Sequence, residues 1–239
     1  MQAMLFSAGL GTRLQPLTNS LPKALAPFGN TTLLGYNLKF LASQGIDSFI
    51  INTHHFHDKI KEYLKKNDYF GLDIYISHEN KLLDTAGGVA YVKQKIKNSR
   101  ILLYNVDVIS GIDIKNLFDY HIKHNADITL AIRNRKTSRY LLFDSNDRMT
   151  GWKNKKTGEI KLCNNEKHYK ELAFSGISLV DTCVLNEIKT IEKKSLISFY
   201  LDICKDKKIL AYNHGEDHWF DCGTIEKLKI AENYIFNNN

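Results

Sequence analysis

No apolar run in this chain approaches the roughly 20 residues that a helix needs to cross a bilayer. Nor does a charged head with an apolar body precede the first strand-like segment, so neither membrane insertion nor a signal peptide is expected. The four cysteines, Cys163, Cys183, Cys204 and Cys222, contain no CxxC pair. That spacing fits neither a structural zinc framework nor a dense disulfide scaffold, and reduced thiols in a cytoplasmic protein are the expectation. Two common phosphate-binding signatures are also missing: there is no GxGxxG fingerprint and no GxxxxGK[ST] loop. A formal charge of +7 arises from 33 basic against 26 acidic residues, with lysine dispersed along the chain. This favours anionic ligands. No basic stripe with interleaved aromatics and no recognition helix accompanies it, so nucleic acid is not an expected partner. No internal repeat and no long linker interrupts the 239 residues.

What is present begins at the N-terminus. The apolar run Ala3 to Phe6 reads as a buried strand, and it feeds into Ser7-Ala8-Gly9-Leu10-Gly11-Thr12-Arg13-Leu14. Glycine permits the positive φ and close approach that a loop around an anion requires. Successive backbone N–H groups there make an anion-binding concavity, to which Arg13 and Lys23 add a fork and a point charge. Read alone, the same residues also suit an ordinary strand-to-helix turn with surface cations.

Along the next hundred residues strand and helix patterns alternate. Leu34, Leu38 and Leu41 fall at helical spacing within 31–44, and Gly45 ends that helix. Residues 48–52 read as a strand, 58–66 as a lysine-rich helix and 72–77 as a strand. Glu79 to Gly88 reads as a polar loop, and 100–104 as an apolar strand ending in Asn105-Val106-Asp107. A helix around 114–121 and a strand over 128–132 follow. The pattern predicts an α/β fold, a mostly parallel mixed sheet with helices on both faces. In such sheets the ligand crevice lies beyond the carboxyl ends of the strands, where the glycine turn, the 79–88 loop and Asp107 all fall. His54, His55 and His57 lack a carboxylate or cysteine at ligand spacing and read as structural or solvent-facing. The second half is less regular: strands over 139–143, 174–179 and 208–212, a helix over 195–205, and a polar turn region from Gly151 to Gly158 suited to a hairpin or a flap. The closing asparagines are expected to fray.

The N-terminal stretch, continued by Pro16-Leu17-Thr18 and Pro22-Lys23, combines with Asp107 and a late Trp219-Phe220-Asp221-Cys222-Gly223-Thr224. Together they resemble the bacterial sugar-1-phosphate nucleotidyltransferases, also called NDP-sugar pyrophosphorylases, from Ala3 to about Ala231. Ser77-His78-Glu79, Thr85-Ala86-Gly87-Gly88, Phe174-Ser175-Gly176-Ile177 and His218-Trp219-Phe220-Asp221 are similar to its short branch. That branch holds N-acetylmuramate-1-phosphate uridylyltransferase and mannose- or heptose-1-phosphate guanylyltransferases. The resemblance implies a Rossmann-like, GT-A-like fold in one domain over 1–239, with a nucleotide-binding part (1–132) and a sugar-binding part (133–239) that carries the second metal ligand. No acyltransferase β-helix is expected after the Asp221 helix.

The implied reaction is attack of a sugar 1-phosphate on the α-phosphorus of a nucleoside triphosphate. UTP with N-acetylmuramate 1-phosphate or a related hexose 1-phosphate is the leading expectation. GTP-dependent mannose or heptose guanylyl transfer, or a non-catalytic regulatory domain, are the alternatives. By resemblance, Ala8, Gly9, Gly11 and Thr12 wrap the triphosphate, Arg13 holds its outer phosphates, and Lys23 sits over the α-phosphate. Glu79 and Gly87 complete the nucleotide side, and Asn105, Thr85, Gly88 and Gly176 the sugar-phosphate side. Asp107 and Asp221 would hold Mg²⁺, with Arg13, Lys23 and Asp107 the catalytic set. Before the resemblance, Asp107 favours a metal ligand over a strand-end cap, and Asp221 reads either way. Ala86 departs from the branch's usual glycine, Asp84 from its usual Glu or Gly, and Trp152 to Lys156 has no clear counterpart there. Those lysines could reach an anionic group on the sugar or simply face water. A glycosyltransferase on a similar sheet would carry a paired Asp-x-Asp, which Asp107-Val108-Ile109 lacks.

Overall fold

A computed structural model describes residues 1–164, 168–215 and 217–237, so the closing asparagines Asn238 and Asn239 lie outside the described residues. The elements of the first third are β1 (Gln2–Phe6), β2 (Pro27–Phe28), β3 (Thr31–Thr32), α1 (Leu33–Ser43), β4 (Ser48–Thr53), α2 (His57–Lys66) and β5 (Asp73–His78). Then come α3 (Asp84–Val92), β6 (Arg100–Asn105), β7 (Val108–Ser110), α4 (Ile114–Lys123), β8 (Ile128–Arg133) and β9 (Arg139–Phe143). The last part holds β10 (Met149–Asn154), β11 (Ile160–Leu162), β12 (Lys170–Asp181), α5 (Leu196–Ile203), β13 (Ile209–Asn213), β14 (Trp219–Asp221) and α6 (Ile225–Asn237).

These elements gather into two compact units. One comprises Met1–Leu82, Leu103–Ile112 and Asp217–Asn239, and the other Leu83–Leu102 and Asp113–Glu216. In the first, β4 pairs parallel with both β1 and β5. The end of β6 lies on the other side of β1. Parallel strands covered on both faces carry continuous apolar runs, and Ala3, Met4, Leu5, Phe49, Ile50 and Ile51 are accordingly buried. The expected first helix starts at Thr32, whose hydroxyl accepts from the Gly35 N–H at 3.1 Å. Its Leu34, Leu38 and Leu41 face inward, as their spacing predicts.

A second apolar cluster in this unit joins distant segments. Leu14, Ala26, Phe28 and Leu33 pack with Ile109 of β7, Cys222, and Leu228 and Ala231 of α6. Each fully buried aliphatic or aromatic side chain stabilises by about 1.5–3 kcal/mol. This cluster therefore pins the early turn, the strand after Asp107 and the terminal helix to one another.

The other unit is built on β12. Its Lys170–Leu172 pairs antiparallel with β9, and its Ala173–Val180 with β8, across a register shift between Phe174 and Ser178. β13 runs parallel to β8. The region from Gly151 to Gly158 resolves as the hairpin β10–β11, with Gly158 at φ +74°. Lys153 and Lys155 both pair with Glu171, at 2.8 and 2.7 Å, so their charge is met within the sheet. That pairing pulls the Glu171 carboxyl below its usual range.

Two expectations need correction. Asp84-Thr85-Ala86-Gly87-Gly88 is not loop but the first turns of α3. The N–H groups of Ala86 and Gly87 find the Lys194 carbonyl at 2.8 and 3.2 Å, and Leu196 N–H donates to the Thr85 hydroxyl at 2.8 Å. These partners offset the low helix propensity of two glycines. A side chain at Gly87 would come within 2.2 Å of the Glu192 carbonyl oxygen, which gives that glycine a packing reason. Nor are all four thiols reduced: Cys163, after β11, and Cys204, at the end of α5, are joined as a disulfide with Cα atoms 6.0 Å apart. Cys183 and Cys222 are free.

Buried His121 lies between Thr129, 2.8 Å from Nδ1, and Asp181, 3.1 Å from Nε2, while Arg100 meets the same Asp181 oxygen at 2.8 Å. Burial is the main influence on His121 and depresses its pKa below the usual value of 6.5, although Asp181 acts the other way. Below that value the unfolded chain takes up a proton that the folded imidazole resists, so stability falls as pH falls. His57, held down by burial and by His78, adds in the same direction. Melting temperature is expected to drop between pH 7.5 and 5.5, and His121→Gln to flatten that drop. An equally steep profile in the variant would contradict the assignment.

Candidate active site

The glycine turn owes its shape to Gly11. At φ +66° it lies in the left-handed region, and its carbonyl accepts from Leu14 N–H at 2.8 Å and from the Thr18 hydroxyl at 2.9 Å. A Cβ there would approach Thr18 Cγ2 to 2.9 Å and Lys23 Cβ to 3.0 Å, so the turn packs directly on the base of Lys23. Gly9, by contrast, has open space around it. Ala8 is buried, and Gly9, Thr12 and Arg13 are exposed at the surface of the unit.

The start of the turn is tethered from behind. Ser7 N–H donates to Asn52 Oδ1 at 2.8 Å, and Asn52 Nδ2 donates to Glu79 Oε1 at 2.7 Å. Glu79 is only 1 % exposed, its own N–H donates to Thr53 O at 2.8 Å, and its carbonyl lies 2.7 Å from His54 Nδ1. His57 sits 2.8 Å from the Thr53 hydroxyl and stacks on His78, and His55 packs on Phe56. The histidines of this connection are thus engaged in packing and hydrogen bonds. Among the described residues no group of three or more histidine, cysteine or carboxylate side chains forms a metal cage.

Asp107 stands between β6 and β7, two residues after Asn105. The segment is fixed by Asn37 Nδ2, which donates to Val106 O at 2.9 Å from the interior of α1. β7 pairs antiparallel with β14, placing Asp221 opposite Val108, and Cys222 N–H donates to Asp107 O at 2.8 Å. More than a hundred residues of chain separate the two aspartates, and a three-rung ladder together with the Cys222 N–H bond to Asp107 O brings their backbones to neighbouring positions.

Three cations surround them. Lys23 Nζ pairs with Asp107 Oδ2, both side chains being 15 % exposed. Lys227 Nζ lies 3.1 Å from Asp221 Oδ2, while Gly223 N–H donates to Asp221 Oδ1 at 3.0 Å. A Cβ at Gly223 would come within 2.7 Å of both Arg13 Nη2 and Asp221 Oδ1, so Arg13 reaches this corner too. Burial is the largest influence on Asp221 and pushes its carboxyl up. The Lys227 hydrogen bond and the charges of Lys227, Arg13 and Lys23 outweigh it and leave the carboxyl below its usual range. The neighbouring Cys222 thiol, buried and facing both carboxylates, is pushed up to about 12 and is therefore protonated rather than nucleophilic.

One unit thus gathers Arg13, Lys23, Asp107 and Asp221, with Glu79 behind the turn and Asn105 at the end of β6. Thr85, Gly87, Gly88 and Gly176 belong to the other unit. There Gly176 has φ +79° within the irregular stretch of β12, next to Ser175, whose hydroxyl lies 2.8 Å from His214 Nε2. Sequence reasoning missed Asn37, Asn52 and Lys227. The two asparagines are buried polar residues whose only signal is a partner elsewhere in the chain, and Lys227 reads as one more surface lysine.

A family model described as nucleotidyl transferase matches residues 2–237. A D-glycero-alpha-D-manno-heptose 1-phosphate guanylyltransferase of Aneurinibacillus thermoaerophilus is 35% identical over 57% of this chain. The match spans 59% of that relative's length. A protein with the same description from Campylobacter jejuni is 28% identical, covering 95% of this chain and 96% of its own. Among solved structures, HddC from Yersinia pseudotuberculosis in complex with GMP-PN superposes with a TM-score of 0.80 at 16% identity. It covers 98% of each chain, and at that identity the likeness shows the α/β nucleotidyltransferase fold.

Asn52 joins the glycine turn to Glu79 from a position 2 % exposed. Asn52→Ala leaves the Ser7 N–H and the Glu79 carboxylate short of a partner, at a cost of about 2–4 kcal/mol. The urea midpoint should fall accordingly; an unchanged midpoint would show that the tether carries no load.

Proposed function

The chain belongs to the nucleotidyl transferase family, and from that premise we propose that it makes an NDP-sugar from a nucleoside triphosphate and an aldose 1-phosphate. GTP with a mannose- or heptose-type sugar is the favoured pair. The names of the heptose guanylyltransferases it resembles support this choice over the UTP and N-acetylmuramate expectation, which no relative described above favours. The observation that carries the reading is the joining of Asp107 and Asp221 among Lys23, Arg13 and Lys227 beside a glycine turn.

In the proposed reaction a sugar-phosphate oxygen forms a bond to the α-phosphorus as the bond to the β-phosphate oxygen breaks, and pyrophosphate leaves. The nucleophile needs no general base, because a phosphate monoester carries about −1.5 to −2 charge at neutral pH. What the protein must supply is charge and alignment, since both reactants are anions. Ala8, Gly9, Gly11 and Thr12 wrap the triphosphate with backbone N–H groups. Arg13 holds the outer phosphates and offsets the charge growing on the leaving group. Lys23 moves between Asp107 and the α-phosphate. Glu79 acts through Asn52 as a positioning residue for the turn; the nucleotide assignment of Gly87 and the sugar-phosphate assignments of Asn105, Thr85, Gly88 and Gly176 rest on the resemblance alone.

Asp107 and Asp221 suit Mg²⁺ as adjacent hard oxygen donors, since that ion commonly takes one or two carboxylates, with phosphates and water filling the rest. When bound it would spread the negative charge of the phosphates.

A matrix of the four common triphosphates against mannose, heptose, glucose and N-acetylmuramate 1-phosphates, read by pyrophosphate release, tests the proposal. GTP with mannose or heptose phosphate should give the highest rate. Silence in every combination would overturn the catalytic reading, and a clear preference for UTP with N-acetylmuramate 1-phosphate would reverse the substrate choice.

A further inference from the structure

Each carboxylate assigned to the metal already carries an ammonium group on its Oδ2: Lys23 on Asp107, and Lys227 on Asp221. Lys227 has no place in the motif that nominates the other groups. It stands near the start of α6, six residues after Asp221, and its side chain is 52% exposed against 28% for the aspartate. A pair so open to water contributes little to folding, so fold stability does not account for its geometry. Counting Arg13, Lys23 and Lys227 against Asp107 and Asp221 gives a corner of net charge +1 (3 − 2). A divalent cation arriving alone would raise that to about +3, whereas one arriving on a triphosphate would lower it.

Resting on the function proposed above, we infer that Lys227 is the internal counter-ion of Asp221. It holds that carboxylate in position in the nucleotide-free protein and competes with a divalent cation for the same oxygen. The cation is therefore taken up together with the triphosphate, whose oxygens give the displaced lysine a new partner. Because the coupling is reciprocal, nucleotide strengthens metal binding by the same factor that metal strengthens nucleotide binding. Lys23 plays the corresponding part at Asp107 but is also committed to the phosphates, so Lys227 is the residue on which the effect can be isolated.

The test is a calorimetric titration of the nucleotide-free full chain with Mn²⁺, for wild type, Lys227→Met and Lys227→Arg, and for Asp221→Asn with and without Lys227→Met. Lys227→Met should bind Mn²⁺ about fivefold more tightly, the scale on which a half-exposed ion pair acts. Lys227→Arg should match wild type, and the gain should be absent when Asp221→Asn accompanies it. Melting curves recorded in parallel confirm that each variant is folded. Equal Mn²⁺ affinity in wild type and Lys227→Met would overturn the inference, as would a gain that survives the loss of the Asp221 charge. Turnover is measured separately. The Mn²⁺ pattern without pyrophosphate release upholds the counter-ion and overturns nucleotidyl transfer; release without the pattern does the reverse.

Discussion

Two carboxylates mounted at neighbouring backbone positions need their charge offset, and in this protein the offset organises the site. The β7–β14 ladder brings Asp107 and Asp221 together, and Lys23, Arg13 and Lys227 converge on them from three separate parts of the chain. The apolar cluster of Leu14, Phe28, Ile109, Cys222 and Leu228 holds those parts in place. Charge is thus presented from a packed base rather than from mobile loops, as preorganised electrostatic stabilisation requires. The same cluster buries Cys222, and that burial, with the charges of Asp107 and Asp221, pushes its thiol up.

Behind the charges lies a second layer of neutral polar contacts. Asn52 joins Ser7 to Glu79, and Asn37 secures the carbonyl of Val106. Neither reaches the surface, and each fixes backbone on which the glycine turn or Asp107 is mounted. The Asn52 amide, partnered through both its oxygen and its nitrogen, holds its neighbours in one arrangement.

The sequence made the strand–helix alternation and the inward leucines of α1 readable, because periodicity is local, and it nominated Arg13, Lys23, Asp107 and Asp221 as a set only through the family resemblance. It concealed features that depend on distant partners. Three-residue strands such as β7 and β14 have no period to detect. The glycine pair of α3 reads as loop until the Lys194 carbonyl caps it, and Lys153 and Lys155 read as available cations until Glu171 faces them. Cys163 and Cys204 meet only because β10–β11 and α5 pack in the same unit, which their 41-residue separation does not announce. The choice of base and sugar was the least legible, since it turns on a few oriented hydrogen bonds that no spacing encodes.

The account stands or falls on Asp107 sharing a working site with Asp221. Pyrophosphate release by Asp107→Asn, in Mg²⁺ and with the best substrate pair, tests it most directly. The substitution keeps shape and removes charge, and a loss of about a hundredfold or more in kcat is predicted. A variant that turns over at the wild-type rate with the wild-type magnesium dependence would contradict it.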